Sequence, residues 1–368
     1  MIYQIEPWIN HEEMDELKKV IDSTFVTESA LTAQFEEMCR KLTGSSHAIA
    51  MTNGTLALYA CLKALHIGQG DEVIVPDLTF IASANAVIMT GAIPVFCDIL
   101  PDTLCLDVES ARTRITSRTK AIMPVHLYGQ SADMEAIMKL ASAHGLAVLE
   151  DAAQGVGVRF QGKHVGTFGE MGILSFFGNK TITCGEGGVV LTNDHSFATA
   201  CYRLKNHGRD RKGIFIHEEI GFNFSFTEMQ AAIGVAQMNK LPRIIQRKKE
   251  IHDRYVSALK DITALTPCPV DPRTEPVFWF TSFFSNECEN LAAWLLGNHI
   301  QTRRFFYPLH LQPCYQKETV IASTNTGPFP VSEDVYRRGL SLPSSYLLTG
   351  DQQAIVIEKI RSFYEHRA

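Results

Sequence analysis

What this sequence lacks narrows its class. Its nine cysteines (Cys39, Cys61, Cys97, Cys105, Cys184, Cys201, Cys268, Cys288 and Cys314) include no C-x-x-C pair, and several fall in apolar stretches. That pattern argues against a disulfide framework or a zinc site and for reduced, mostly buried thiols. There is no basic block, and 34 Lys and Arg against 40 Asp and Glu leave a net charge of -6, so nucleic acid is not an expected partner. The opening residues, Met-Ile-Tyr-Gln-Ile-Glu-Pro-Trp, hold neither a basic region nor a long apolar run. No signal peptide or membrane span is expected, and the expected location is the cytoplasm. Internal repeats and low-complexity stretches are missing as well.

What is present is a chain of 368 residues, 45% hydrophobic and 20% charged, the profile of a soluble enzyme with room for two domains. Short apolar runs such as His47 to Met51, Asp71 to Pro76, Ile93 to Cys97 and Lys120 to Val125 alternate with helical patterns. Alternation of this kind predicts an α/β fold with a mostly parallel, doubly wound central sheet flanked by helices. A long helical pattern from about Thr227 to Leu259, broken at Pro242, leads into a smaller α+β C-terminal part. The expected domains are residues 1–245 and 246–368. The stretch from Ser323 to Pro330 is the one expected mobile loop.

Two stretches carry the chemistry. Leu-Ala-Val-Leu-Glu150-Asp151-Ala-Ala-Gln154 is a buried strand closing on a carboxylate, at the sheet end where open α/β folds bind ligands. Ser175-Phe-Phe-Gly-Asn-Lys180, followed by Gly185-Glu-Gly-Gly188, places one lysine in a turn of glycines and small polar residues. A strand-end Asp and a loop Lys are the pair that pyridoxal phosphate requires: one holds the cofactor covalently, the other keeps its ring nitrogen protonated. Thr52-Asn53-Gly54-Thr55, between a strand and a helix, suits a phosphate bound by backbone amides, although a plain Asn cap gives the same pattern. His126 and Tyr128 close another strand and are read as lining the same crevice; no partners converge on His126 at metal-ligand spacing, and no metal is expected.

These motifs, over nearly the whole chain from Glu6 to the last helix, resemble the PLP-dependent sugar aminotransferases of the DegT/StrS type, and within them the GDP-perosamine synthase branch. The resemblance implies an aminotransferase of fold type I. It implies that Gly54, Thr55 and Ser175 hold the cofactor phosphate, that Phe80 stacks on the pyridine ring and that Gln154 touches it. Lys180 and Asp151 become the catalytic pair. Relatives with histidine in place of Lys180 are dehydratases, so lysine favours transamination. Asn223 is implied to reach the partner's cofactor across a homodimer interface; relatives commonly carry Arg two residues on, where this chain has Ser225. Arg303, Tyr307 and His310 fall where the family contacts substrate, though the cluster also suits a surface loop with snorkelling arginines.

The implied reaction moves the amino group of L-glutamate, leaving 2-oxoglutarate, to the keto carbon, at C4, of a nucleotide-linked 4-keto-6-deoxy sugar destined for a bacterial surface polysaccharide. A UDP- or dTDP-linked or N-acetylated sugar, amination at C3, and a PLP-binding regulatory protein without turnover remain as alternatives.

Overall fold

The computed structural model describes residues 1–210, 213 and 215–365. Seven strands form the main sheet: β1 (His47–Met51), β2 (Glu72–Pro76), β3 (Ile93–Cys97), β4 (Thr119–Ile122), β5 (Ala147–Asp151), β6 (Met171–Ser175) and β7 (Gly188–Thr192). Their order is β1-β7-β6-β5-β4-β2-β3. β7 runs antiparallel to both its neighbours, and the other pairs are parallel. β2 and β6 are buried along their whole length, as parallel strands covered on both faces must be. The helices of this part include α1 (His11–Ser23), α2 (Ala30–Thr43), α3 (Gly54–Ala64), α4 (Ala82–Met89), α5 (Met134–His144) and α6 (His195–Lys205).

α1 starts where acids and an asparagine predict it. Asn10 accepts from Glu12 N, and Glu13 reaches back to Asn10 N at 2.8 Å. Buried Glu13 also pairs with the fully buried Lys240 at 2.7 Å, which pins this helix to the long one that follows.

That long helix, α7 (Glu228–Leu259), corrects the expected break: it is continuous through Pro242. A mid-helix proline removes one hydrogen bond and costs about 3 kcal/mol. Here both halves are buried, with Ala231, Val235 and Leu241 before the proline and Ile244, Ile251, Tyr255 and Leu259 after it, so packing outweighs the missing bond. The apolar partners change along the helix. Through Ile244 it joins the main core, whereas from Ile251 it joins a separate cluster with Phe283, Leu291, Leu340 and Val356. The expected 245/246 boundary therefore falls inside α7, between these two clusters.

The C-terminal part has a four-stranded sheet of β8 (Thr266–Pro267), β9 (Thr281–Phe284), β10 (Arg303–Arg304) and β11 (Gly339–Leu342), in the order β8-β9-β11-β10. Around it lie α8 (Cys288–Gly297), α9 (Pro330–Arg338) and α10 (Gly350–Glu365). The stretch expected to be a mobile loop packs on the main sheet. Phe329 is fully buried, Asn325 Oδ1 accepts from Phe96 N, and Asn325 Nδ2 donates to Pro94 O.

Candidate active site

The carboxyl ends of β1, β2, β5 and β6, with the start of β7, surround one cavity of about 500 Å³. Asn53, Gly54 and Thr55 enter it from the turn after β1, and Thr79 and Phe80 from the turn after β2. Asp151 and Gln154 follow β5, and Ser175 and Lys180 follow β6. Trp279, Arg303 and Phe306 close the wall from the C-terminal part.

The turn after β1 is shaped for an anion. Asn53 caps α3 by accepting from Leu56 N at 3.0 Å, while helix geometry leaves the Gly54 and Thr55 amides without intrahelical acceptors. Gly54 sits close against β6: a Cβ there would lie 3.2 Å from Ser175 Cβ and 3.3 Å from its Oγ. From the other side, a Cβ on Gly188 would come within 2.4 Å of Asn53 O. Neighbouring backbone thus holds the turn beside the Ser175 hydroxyl.

Asp151 is 4% exposed. Its Oδ2 accepts from Ser83 Oγ at 2.7 Å and its Oδ1 from Ala153 N at 3.1 Å, with Thr79 Oγ1 3.1 Å behind Ser83 Oγ. Two donors leave this carboxylate acceptor capacity to offer a ligand. Lys180 is held by a turn in which its own N–H donates to Phe177 O at 2.9 Å. Burial lowers the pKa of its amine to about 8; the charge of Asp151 opposes that shift and the charge of Arg303 adds to it. An amine that loses its proton near neutrality can serve as nucleophile and as proton carrier.

This set fits pyridoxal phosphate. A lysine amine for the carbonyl, an acid for the ring nitrogen, and a helix N-terminus with a hydroxyl for the phosphate all line the same cavity. Phe80 lines it as well, is 54% exposed, and packs on Phe306 at 5.9 Å. Gln154 is oriented by the Tyr128 amide, which donates to its Oε1 at 2.7 Å, so its amide nitrogen is the end free to donate elsewhere.

Five expected site residues lie elsewhere. His126 does not line the cavity: it is fully buried, with Nε2 3.0 Å from Glu150 Oε2 and Nδ1 accepting from Ala132 N. This network puts the ring proton on Nε2. Tyr128 stands behind the wall, in left-handed backbone (φ 52°), its hydroxyl accepting from Phe306 N and its ring stacked on Phe306. Tyr307 is on the outside, edge-on to Tyr336. His310 is occupied by Asp77, at 2.7 Å through Nδ1 and 2.8 Å through its backbone N–H. Burial pulls the His310 pKa down, but Asp77 and Glu333 outweigh it and leave it raised. Asn223 is exposed and borders a separate concavity with Asn206, His207, Arg209 and Ser225. Arg303 does reach the cavity, its guanidinium 5.2 Å from the Phe280 ring centroid, and burial lowers its pKa.

Sequence reasoning missed Thr79, Ser83, Glu186 and Trp279. Ser83 lies four residues after Thr79 on the first turn of α4, which would have hinted at a shared face; nothing in the sequence ties Trp279 to Lys180. Among the described residues no group of three His, Cys, Asp or Glu could hold a metal, and no helix is long and apolar enough to cross a membrane.

A model of the DegT/DnrJ/EryC1/StrS aminotransferase family matches residues 7–361. The chain belongs to this family. It is 39% identical over 373 residues to a GDP-perosamine synthase of Escherichia coli O157:H7, covering 100% of this chain and 99% of that protein. A pleiotropic regulatory protein of Geobacillus stearothermophilus is 38% identical over 88% of this chain and 87% of its own length. Among solved structures, S. venezuelae DesV in complex with a ketimine intermediate superposes with a TM-score of 0.90 at 34% identity, over 96% of this chain and 95% of that one. Fold class, family and transaminase activity thus follow as the motifs implied.

Proposed function

We propose that this aminotransferase takes the amino group of L-glutamate and delivers it to the C4 keto carbon of a nucleotide-linked 4-keto-6-deoxy sugar, as a GDP-perosamine synthase. The observation that carries this is the meeting of Lys180, Asp151, the Gly54 turn and Arg303 in one cavity, in a chain alignable from end to end with a protein of that name. Pyridoxal phosphate, when bound, supplies a carbonyl that exchanges amines and a ring that withdraws electrons.

The protein's own groups do the rest. Asp151, oriented by Ser83 and Ala153 N, holds a proton at the ring nitrogen through a charge-assisted hydrogen bond. Lys180 Nζ, with its lowered pKa, would take a proton from the donor carbon and deliver it to the cofactor carbon that carries the carbonyl, the direction reversing when the keto-sugar accepts the amine. The amides of Gly54 and Thr55 and the Ser175 hydroxyl would hold the phosphate of the bound cofactor, and Phe80 would offer its ring an aromatic face. Arg303 matches the anionic groups of both substrates, the glutamate carboxylates and the nucleotide phosphates. Asn223 serves the partner's site across a homodimer interface, which accounts for its place outside its own cavity. The enzyme works in the cytoplasm and its product is destined for a surface polysaccharide such as an O-antigen.

The name of the Geobacillus relative favours one other reading, a regulator that binds the cofactor without turnover. The complete catalytic set in one cavity supports the enzyme instead. The test is the visible absorption spectrum before and after L-glutamate, followed by glutamate consumption with GDP-, UDP- and dTDP-linked keto-sugars. Bleaching by glutamate and turnover with the GDP-linked 4-keto-6-deoxy sugar, both lost in Lys180→Ala, are expected. Full turnover by Lys180→Ala would sink the mechanism, and turnover only with another nucleotide sugar would overturn the substrate.

A further inference from the structure

Trp279 is 2% exposed, yet it forms part of the cavity wall next to Lys180. The two come from different parts of the fold: Lys180 follows β6 of the main sheet, whereas Trp279 lies two residues before β9 of the C-terminal sheet. They meet twice. The indole Nε1–H donates to the carbonyl of Asn179, the residue before the lysine, at 2.6 Å. The Lys180 amine lies 4.5 Å from the centroid of the indole ring, within the range of a cation–π contact.

The indole is itself fixed from behind. The fully buried Lys248 donates to Trp279 O at 3.0 Å and to Ser344 O at 3.1 Å, and the ring stacks on Phe280 at 3.9 Å. Two residues earlier, Val277 N donates to Gly129 O. Gly129 is in left-handed backbone (φ 82°), and a Cβ there would come within 1.7 Å of Val277 O. Only glycine lets the two segments lie this close.

We propose that Trp279 is the positioning residue of the reactive lysine: its N–H fixes the turn that carries Lys180, and its ring face holds the free amine and stabilises the ammonium form. This rests on the reading of Lys180 as the reactive lysine. A lysine that alternates between covalent link and proton carrier is unattached for part of each cycle. In that interval a long flexible side chain must stay at the reacting carbon, and a rigid aromatic face supplies the constraint. The other charges acting on the amine are Asp151, which favours its protonation, and Arg303, which opposes it.

The test needs no cofactor. Reductive methylation of the apoprotein across pH, followed by mass spectrometry of the peptide containing Lys180, gives the pKa of its amine. Trp279→Leu removes the ring, and the pKa is expected to fall by about 0.5 to 1 unit; Trp279→Phe keeps a ring face and restores most of the shift. A pKa that stays or rises in Trp279→Leu, as it would if the ring only excluded water, overturns the proposal. Should Trp279→Leu fail to fold, Trp279→Phe still tests the hydrogen bond. Losing Nε1–H is expected to speed amide exchange at Lys180 at least severalfold, and unchanged exchange overturns that part. Failure of the underlying reading has a different signature, because wild-type protein would then show no glutamate-dependent change in absorption.

Discussion

Gly188→Ala tests whether the phosphate cradle depends on backbone packing away from any ligand. Gly188 is the first residue of β7 and pairs with Met51 and Ser175 on its two sides. An alanine Cβ at this position would lie 2.4 Å from Asn53 O, 2.5 Å from Asn53 C and 2.8 Å from Gly54 N. Ordinary contact begins at 3.4 Å, so the Asn53-Gly54 turn must retreat by about 1 Å. All three close atoms belong to backbone and cannot swing aside as a side-chain tip would. A shift of that size breaks hydrogen bonds from the first-turn amides to an anion, each worth about 1.5–3 kcal/mol when the partner is charged. Losing one, or weakening two, raises Kd by roughly 10- to 150-fold. Pyridoxamine phosphate is the suitable probe, since it carries the same ring and phosphate but forms no covalent link to Lys180, and calorimetric titration gives its Kd directly. The circular dichroism of the variant should stay near wild type. A folded Gly188→Ala protein that binds pyridoxamine phosphate within threefold of wild type would refute the cradle reasoning.

Two further changes probe the support of the site. Glu150→Gln replaces a fully buried carboxylate that accepts from Gly166 N, Phe168 N, Gly169 N and His126 Nε2. Turning an NH₂ group towards those donors should destabilise the protein by about 3 kcal/mol, read as an earlier denaturant midpoint; an unchanged midpoint would show that the donors find other acceptors. Lys248 has a pKa lowered by burial from 10.5 to about 7, so the folded state prefers its neutral form. Its contribution to stability is complete above the unfolded value, falls as pH drops from about 10.5 to 7, and is flat below. Lys248→Met should therefore remove part of the rise in stability between pH 7 and 10, and identical wild-type and variant slopes in denaturant titrations would count against a buried, titrating lysine.

Much of the fold could be read from sequence because its signals are local. Short apolar runs alternating with helical periods require a buried parallel sheet, and all seven main strands lie where such runs occur or beside the motif residues. The errors arose where distant packing overrides local preference. Pro242 is a helix breaker by itself, yet Lys240 reaches Glu13 and Leu241 and Ile244 are buried, so the helix runs on. Ser323 to Pro330 reads as a loop by composition, but Asn325 and Phe329 anchor it to β3 and the core. The same limit applies to Tyr307 and His310. Arg, Tyr and His beside proline suggest a substrate rim, and only the fold shows that Asp77 has taken His310 while Arg303 alone of the three lines the cavity.

Glu150 and Asp151 show most clearly where sequence stops and structure must decide. They are adjacent acids at the end of one buried strand, so composition and strand-end position mark them equally. Pleating sends their side chains to opposite faces. Glu150 meets three backbone amides of residues 166–169 and the imidazole of His126, and those donors all come from the protein. Asp151 meets two donors and otherwise faces the cavity that holds Lys180. His126 follows the same logic: it lies four residues beyond the end of β4, near the carboxyl end of the sheet, but turns its ring towards Glu150 and away from the cavity. A strand-end position thus identifies the edge of the sheet at which ligands bind, and the count of donors already bound to each carboxylate identifies which one remains open to a ligand. By that measure Glu150 is part of the scaffold, and Asp151 is the acid with acceptor capacity still facing the cavity.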